Sequence, residues 1–299
     1  MAFDAIETPF GKVDRIVGGS ATYVAYAAGN FIQPIQLVSI VGNDFPEAEM
    51  AELRRRGVDL AGVEIVPDQK SFFWSGRYHM DMNTRDTLIT DLNVLANFNP
   101  TIPDSYQGAE FLMLGNGVPK LQSSVIRQMK KRPKLIVLDT MNFWMETALD
   151  DLHEALTLTD VLMVNDSEVR QLTGEFSIVK AAKKILQMGP KYLIVKKGEH
   201  GALLFHENHV FFAPALPLEE VFDPTGDGDT FAGGFIGYLA KTKDISFENM
   251  KTAIIMGSAM ASFCVEKFGP DRLKEVTQKD IDARVQQFVE LVQFDIDLV

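Results

Sequence analysis

The sequence predicts an α/β fold: one domain over residues 1–299, built on a doubly wound, mostly parallel sheet flanked by helices, with a small β-sheet inserted at about 71–95. Three observations lead there. Apolar runs such as Gln36–Val41, Phe111–Leu114, Leu135–Asp139 and Val161–Asn165 end in polar residues, as strands buried on both faces of a parallel sheet do. Stretches of helical period separate these runs. From Ser71 to Leu92 the rhythm changes to period two, with Phe72, Trp74, Tyr78 and Met80 alternating against Phe73, Ser75, Arg77 and His79, which reads as a β-hairpin or small sheet apart from the main sheet.

In chain order, Gly18-Gly19-Ser20 opens a helix of small residues through Ala25, Ala27 and Ala28, where backbone can come close to a ligand. Strand Gln36–Val41 exits through Gly42-Asn43-Asp44-Phe45, in which Asn43 can face a substrate and Asn43 or Asp44 can equally cap the next helix, carrying Met50 and Leu53 and ending at Gly57. After the inserted sheet come strand Phe111–Leu114, helix Leu121–Lys131 and strands Leu135–Asp139 and Val161–Asn165. Ligands gather beyond the carboxyl ends of such strands, so Asn116, Asp139 and Asn142 are site candidates by position. Tyr192–Phe205 reads as strand, glycine turn (Gly198, Gly201) and returning strand. Helices over Ile245–Lys267 and Asp280–Val292 close the chain.

Hydrophobic residues make up 46% of the 299, enough for a sizeable core, and the formal net charge of −12 argues against nucleic acid or an anionic membrane as partner. The basic runs Arg54-Arg55-Arg56 and Lys130-Lys131-Arg132 stand near helix ends, where cations complement the dipole. A single cysteine, Cys264, in an apolar helical segment and no apolar leader fit a core thiol in a cytoplasmic protein. His200, His206 and His209 lack zinc-ligand spacing, and no Walker glycine-lysine motif or fixed-period repeat is found.

The chemistry concentrates in Val221–Phe235. Gly226 and Gly228 let successive backbone N–H groups turn inward on a phosphate, and a helix beginning near Asp229 adds its positive end. Asp229 stands where a carboxylate can take the proton of an alcohol attacking that phosphate. Phe231, Phe235, Ile236 and Leu239 line one helix face, and the mid-helix pair Gly233-Gly234 predicts close approach to neighbouring backbone, since each glycine costs about 1 kcal/mol against alanine. Taken one by one, the Asp and Thr are ordinary caps and Gly-x-Gly an ordinary turn; the ensemble points to phosphoryl transfer.

Asp223, Thr225, Gly226, Gly228, Asp229, Phe231 and Gly234 together resemble the signature Asp-x-Thr-Gly-x-Gly-Asp-x-Phe-x-x-Gly of the ribokinase family, also called the phosphofructokinase-B family of carbohydrate and nucleoside kinases. The resemblance spans nearly the whole chain. It implies a ribokinase-like fold and an ATP-dependent, Mg²⁺-using kinase that phosphorylates a sugar, polyol or nucleoside hydroxyl, with Asp229 as base and the N–H groups of Gly226, Asp227 and Gly228 around the moving phosphoryl group. Asp227 departs from the family, which usually has a small residue there, and its side chain is expected to point away from the phosphate. The resemblance makes Asp4, Gly18 and Gly19 substrate-binding, with the family's usual polar residue replaced near Thr22 and Tyr23, while the strand expected before Asp4 is missing. Asn165 and Glu168 match an Asn-x-x-Glu motif that holds Mg²⁺ through water; by themselves they equally read as a capping box. The turn with Lys196, Lys197, Gly198 and Gly201 touches the nucleotide in the family, although a strand-end lysine pair is usually solvated. Adenine would lie against Ser258, Ala261 and Ser262. Asp223 and Thr225 match positions that help bind a monovalent cation such as K⁺. The resemblance makes the inserted sheet at about 71–95 a lid over the substrate, and its aromatic density suits such closure or a homodimer contact.

The rival readings are a non-catalytic nucleotide- or sugar-binding regulator on the same scaffold and a nicotinamide-dependent dehydrogenase. The second would need Gly-x-Gly-x-x-Gly in the first strand-helix unit, which is absent.

Overall fold

The structure is a computed structural model that describes residues 1–293. The elements run β1 (Ala2–Thr8), β2 (Gly11–Gly18), α1 (Ser20–Ala28), β3 (Ile35–Gly42), α2 (Glu47–Arg55), β4 (Val58–Val66), β5 (Phe73–Tyr78) and β6 (Arg85–Asp91). Then follow β7 (Phe111–Leu114), α3 (Pro119–Gln128), β8 (Leu135–Asp139), α4 (Asn142–Thr147), α5 (Leu149–Leu158), β9 (Val161–Asn165), α6 (Asp166–Thr173) and α7 (Ile178–Gln187). The chain continues through β10 (Tyr192–Lys196), β11 (Ala202–His206), β12 (His209–Ala213), α8 (Asp227–Thr242), α9 (Phe247–Cys264) and α10 (Gln278–Val292).

A six-stranded sheet in the order β12-β11-β10-β9-β8-β7 carries the main core; β7 to β10 are parallel and β11 and β12 return antiparallel. Its alternation explains the unbroken apolar runs. Ile136, Leu138, Leu162, Val164, Leu193 and Val195 face one way, onto α3, α5, α6 and α7. Leu135, Val137, Val161, Met163 and Ile194 face the other, onto α8 and α9. With both faces covered, period two vanishes from the hydropathy but not from the packing.

The chain's amino end departs from the sequence reading. Asp4 is no terminal residue after a missing strand: it lies inside β1, which pairs antiparallel with β2 and parallel with β5. The lid is the expected separate small sheet, and it has four strands, β2-β1-β5-β6, because the amino-terminal pair joins the 71–95 segment; β3 and β4 form a parallel pair of their own. β2, β4 and β12 escape the sequence reading because exposed residues interrupt their apolar pattern. Neither Asn43 nor Asp44 caps a helix. Asp44 instead accepts from the backbone and hydroxyl of Ser71, both at 2.8 Å, and from Arg15 at 2.6 Å, tying the base of the lid to β2.

Gly233 and Gly234 play the expected part. A Cβ on Gly233 would lie 2.6 Å from the Val24 carbonyl of α1, and one on Gly234 would lie 3.0 Å from Gly257 Cα of α9. Glycine lets α8 sit backbone to backbone between α1 and α9, which fixes the start of α8 beside Gly18 and Gly19.

Candidate active site

The site gathers where β8, β9 and β10 end, where α8 begins, and where the lid crosses above them. Helix α8 starts at Asp227 with Gly226 before it in a left-handed conformation (φ 79°), a position open to glycine without strain; a Cβ there would also enter the Tyr23 ring at 2.4 Å. No side chain of residue 226 caps α8. Of the first amides, Asp227 N–H donates to Pro224 O at 3.2 Å, while those of Gly226 and Asp229 have no acceptor among the described residues. Gly228 N–H donates to the carboxylate of Asp227 at 2.6 Å. This corrects the expectation that the Asp227 side chain turns away: an acid at the first helical position satisfies the nearest orphan amide of a helix start that has no other cap.

Asp229 is the third residue of α8. Its Oδ1 accepts from Ser20 Oγ, at the start of α1, at 2.5 Å. Burial lifts its carboxyl to about 6; Asp139 and Asp227 push in the same direction, and Ser20 and Lys196 oppose them. A carboxylate with a pKa near 6 is ionised at neutral pH and still basic enough to take a proton. Sequence reasoning misses Ser20 as a site residue. Its signal is its place just after Gly18-Gly19, but only the packing of α1 on α8 brings it to Asp229.

Lys196, at the end of β10, is half-buried rather than freely solvated. Its Nζ lies 3.4 Å from Asp139 Oδ1 and would be 2.8 Å from a Cβ on Gly228, so an ammonium stands beside the helix start. Burial works against that charge, but Asp139, Glu168, Asp229 and Asp227 outweigh it and hold the pKa above the ordinary lysine value. Lys197 and Gly198 form the turn that follows; the lid tip reaches it, since a Cβ on Gly198 would meet Asn83 Oδ1 at 2.4 Å. Gly201, closing the turn, packs against the Ala213 carbonyl at the end of β12.

Asn165 and Glu168 form a reciprocal capping box on α6, the Asn165 side chain accepting from Glu168 N–H and Glu168 Oε2 accepting from Asn165 N–H, each at 2.8 Å. Glu168 Oε1 has no hydrogen-bond partner among the described residues, and burial lifts the carboxyl to about 7, against Lys196 and the Asn165 amide. The capping role thus leaves one oxygen for a ligand.

Asp4 turns toward the same cluster, its Oδ2 only 1.9 Å from where a Cβ on Gly18 would stand, so that position admits no side chain. Burial lifts its carboxyl to about 7, with Asp223 and Asp229 adding to the rise and the Gly19 amide opposing it. Asp223 is 1% exposed; its two oxygens accept from Thr225 N–H and Gly269 N–H, both at 2.8 Å, and no lysine or arginine among the described residues pairs with it.

On the lid, Tyr78 OH accepts from Thr225 Oγ1 at 3.2 Å, joining β5 to the glycine loop. Arg85 is opposite Tyr78 across β5 and β6, and Trp74 is opposite Asp4 across β5 and β1; ladder partners share a face, so Asp4, Trp74, Tyr78 and Arg85 all line the side turned to the loop. The Arg85 guanidinium lies 5.7 Å from the Trp74 ring and has no carboxylate partner within ion-pair distance among the described residues. Sequence reasoning misses Arg85 because an exposed strand arginine carries no signal without its register.

Other candidates fall outside or at the rim. Asn43 is exposed. Asn116 is engaged by Trp144 Nε1 at 3.0 Å and by Met141 Sδ at 3.1 Å. Ser258 and Ala261, spaced three apart on α9, are half-buried on one face, while Ser262 is held between Ala259 O and Arg284. Cys264 is buried, with burial raising its thiol well above the ordinary range.

The family model described as "pfkB family carbohydrate kinase" matches residues 7–276. A cytidine kinase of Thermococcus kodakarensis is 29% identical over 90% of this chain and 95% of its own length. A nucleoside kinase of Methanothermobacter thermautotrophicus is 25% identical over 88% and 82%. Among solved structures, a Burkholderia thailandensis nucleoside kinase in complex with inosine superposes with a TM-score of 0.75 at 21% identity, covering 97% of this chain and 96% of that one.

Proposed function

Because the chain belongs to the pfkB family of carbohydrate kinases and so is an ATP-dependent kinase of a sugar or nucleoside hydroxyl, we propose that its acceptor is a nucleoside. The observation that carries this is Trp74. It shares the inward lid face with Asp4, so one residue can hold ribose hydroxyls while a flat ring beside it stacks on a base. A free sugar would leave that aromatic surface uncovered.

In this reading the acceptor hydroxyl takes the place of Ser20 Oγ at Asp229, which removes its proton as the new O–P bond forms and the bond to the leaving ADP breaks. The free amides of Gly226 and Asp229, with that of Gly228, face the phosphoryl oxygens, and Lys196 and Arg85 offset their charge. Adenine lies along Ser258 and Ala261 near the Gly198–Gly201 turn. Glu168, through Oε1 and water, and Asn165 would hold Mg²⁺. Their hard oxygen donors suit that ion. Held by Asn165 and Glu168, such an ion would supply positive charge to offset the nucleotide phosphates. Asp223, buried without a cationic partner among the described residues, suits a monovalent cation such as K⁺ held with the Thr225 carbonyl.

The lid's β6 is exposed along its length, with Leu88 and Ile89 on it and Leu92 just beyond. A homodimer through this edge would cover them. No helix of the described residues is long and apolar enough to cross a membrane. With the net charge of −12, this supports small molecules rather than nucleic acid or membrane as partners, in the cytoplasm.

The test is ADP release in a coupled assay with nucleosides, pentoses, hexoses and inositols, with and without K⁺. Turnover of nucleosides well above free ribose is expected. Preference for a free sugar would overturn the acceptor assignment, and no turnover with any acceptor would favour a non-catalytic binding protein.

A further inference from the structure

The Asp227 carboxylate occupies a donor that phosphoryl transfer needs. Gly228 N–H, the second amide of α8, is bonded to Asp227 Oδ1 at 2.6 Å, and Lys196 Nζ stands beside the same glycine. An amide hydrogen has room for one strong acceptor, so an incoming phosphoryl oxygen and this carboxylate exclude one another at Gly228. They also repel, because both are anions at one helix start. The usual small residue at this position would offer no such competitor. Lys196 has a carboxylate within ion-pair distance in Asp139, at 3.4 Å, and none in Asp227, so Asp227 is free to swing toward the ammonium when it leaves the amide.

We propose that Asp227 is a displaceable internal anion: it fills part of the γ-phosphoryl position in the nucleotide-free enzyme and must be driven off Gly228 before a triphosphate can seat. This rests on the kinase reading above. Its consequence is selective. Affinity for a nucleotide with a γ-phosphoryl group is held down, and affinity for the diphosphate product, which lacks that group, is not.

The experiment is calorimetric titration of wild type, Asp227→Ala and Asp227→Asn with AMP-PNP and with ADP, each with Mg²⁺. Freeing one amide from a hydrogen bond corresponds to about a 3- to 10-fold gain in AMP-PNP affinity for Asp227→Ala, with ADP unchanged. Asp227→Asn keeps the shape and an acceptor oxygen but drops the charge, so a smaller gain is expected from it; it also serves should the alanine variant fold poorly. Unchanged or weaker AMP-PNP binding in the variants overturns the proposal, and so does equal tightening of ADP, which would mark a general change of the site. Wild-type protein that binds neither nucleotide would overturn the kinase reading itself, an outcome distinct from wild-type binding that the variants leave unaltered.

Discussion

Replacing Asp229 by asparagine tests the centre of the mechanism with little change of shape. The amide oxygen of the introduced side chain can still accept the Ser20 hydroxyl, so the 2.5 Å contact between α1 and α8 survives. What is lost is the base. General-base catalysis contributes about 10²- to 10⁴-fold, equal to roughly 3–5 kcal/mol of barrier at 1.36 kcal/mol per decade, and kcat should fall by that factor. The wild-type rate should also rise with pH along an acidic limb centred near 6, where burial and Asp139 place the carboxyl, and the variant should lose that limb. Stability moves the other way. The folded pKa lies above the ordinary 3.8, so the penalty of ionising Asp229 grows as pH rises from about 4 to 6, and the variant should melt higher than wild type at pH 8 and equally at pH 4. The assay is coupled ADP release across pH 5–9 beside thermal melts. Turnover above about a tenth of wild type, or an unchanged acidic limb, would refute the assignment.

Asp4→Asn should show the same sign in stability on a wider scale. A carboxyl raised from 3.8 to about 7 gives, at 1.36 kcal/mol per unit, an upper bound of about 4 kcal/mol that is absent below the unfolded value and accrues as pH rises through about 7. A higher melting temperature at pH 8 with acceptor KM raised and ATP KM unchanged is expected, and equal melting at pH 8 would contradict it. Gly233→Ala gains about 1 kcal/mol of helix propensity but drives a Cβ to 2.6 Å from the Val24 carbonyl, where backbone cannot give way. Overpacking of this kind costs about 1–3 kcal/mol, so denaturant titration should find the variant less stable; a neutral result would mean that α1 and α8 can move apart freely.

Much of the site was legible because its parts are local. The glycine loop, the start of α8, the Asn165–Glu168 capping box and the strand ends carrying Asp139 and Asn165 each depend on residues within a few positions of one another. Gly233 and Gly234 announced close packing through their cost in a helix, though not which helices would approach. Lys196 was legible as a position but not as an ammonium paired with a carboxylate, since its partner Asp139 stands 57 residues away in sequence. Asn116 was legible as a strand-end polar residue, yet Trp144 and Met141 engage its side chain.

The amino-acid sequence by itself determined the alternation of strands and helices, the glycine loop and the acid that follows it, because hydropathy period and glycine content act over short spans. Tertiary structure alone decided that β1 and β2 join β5 and β6 in one lid, that Ser20 meets Asp229 across 209 residues, and that Asp227 turns onto Gly228. Pairing of distant strands and the direction of a side chain in a crowded pocket are set by which surfaces exclude water together, and no window along the chain contains that information.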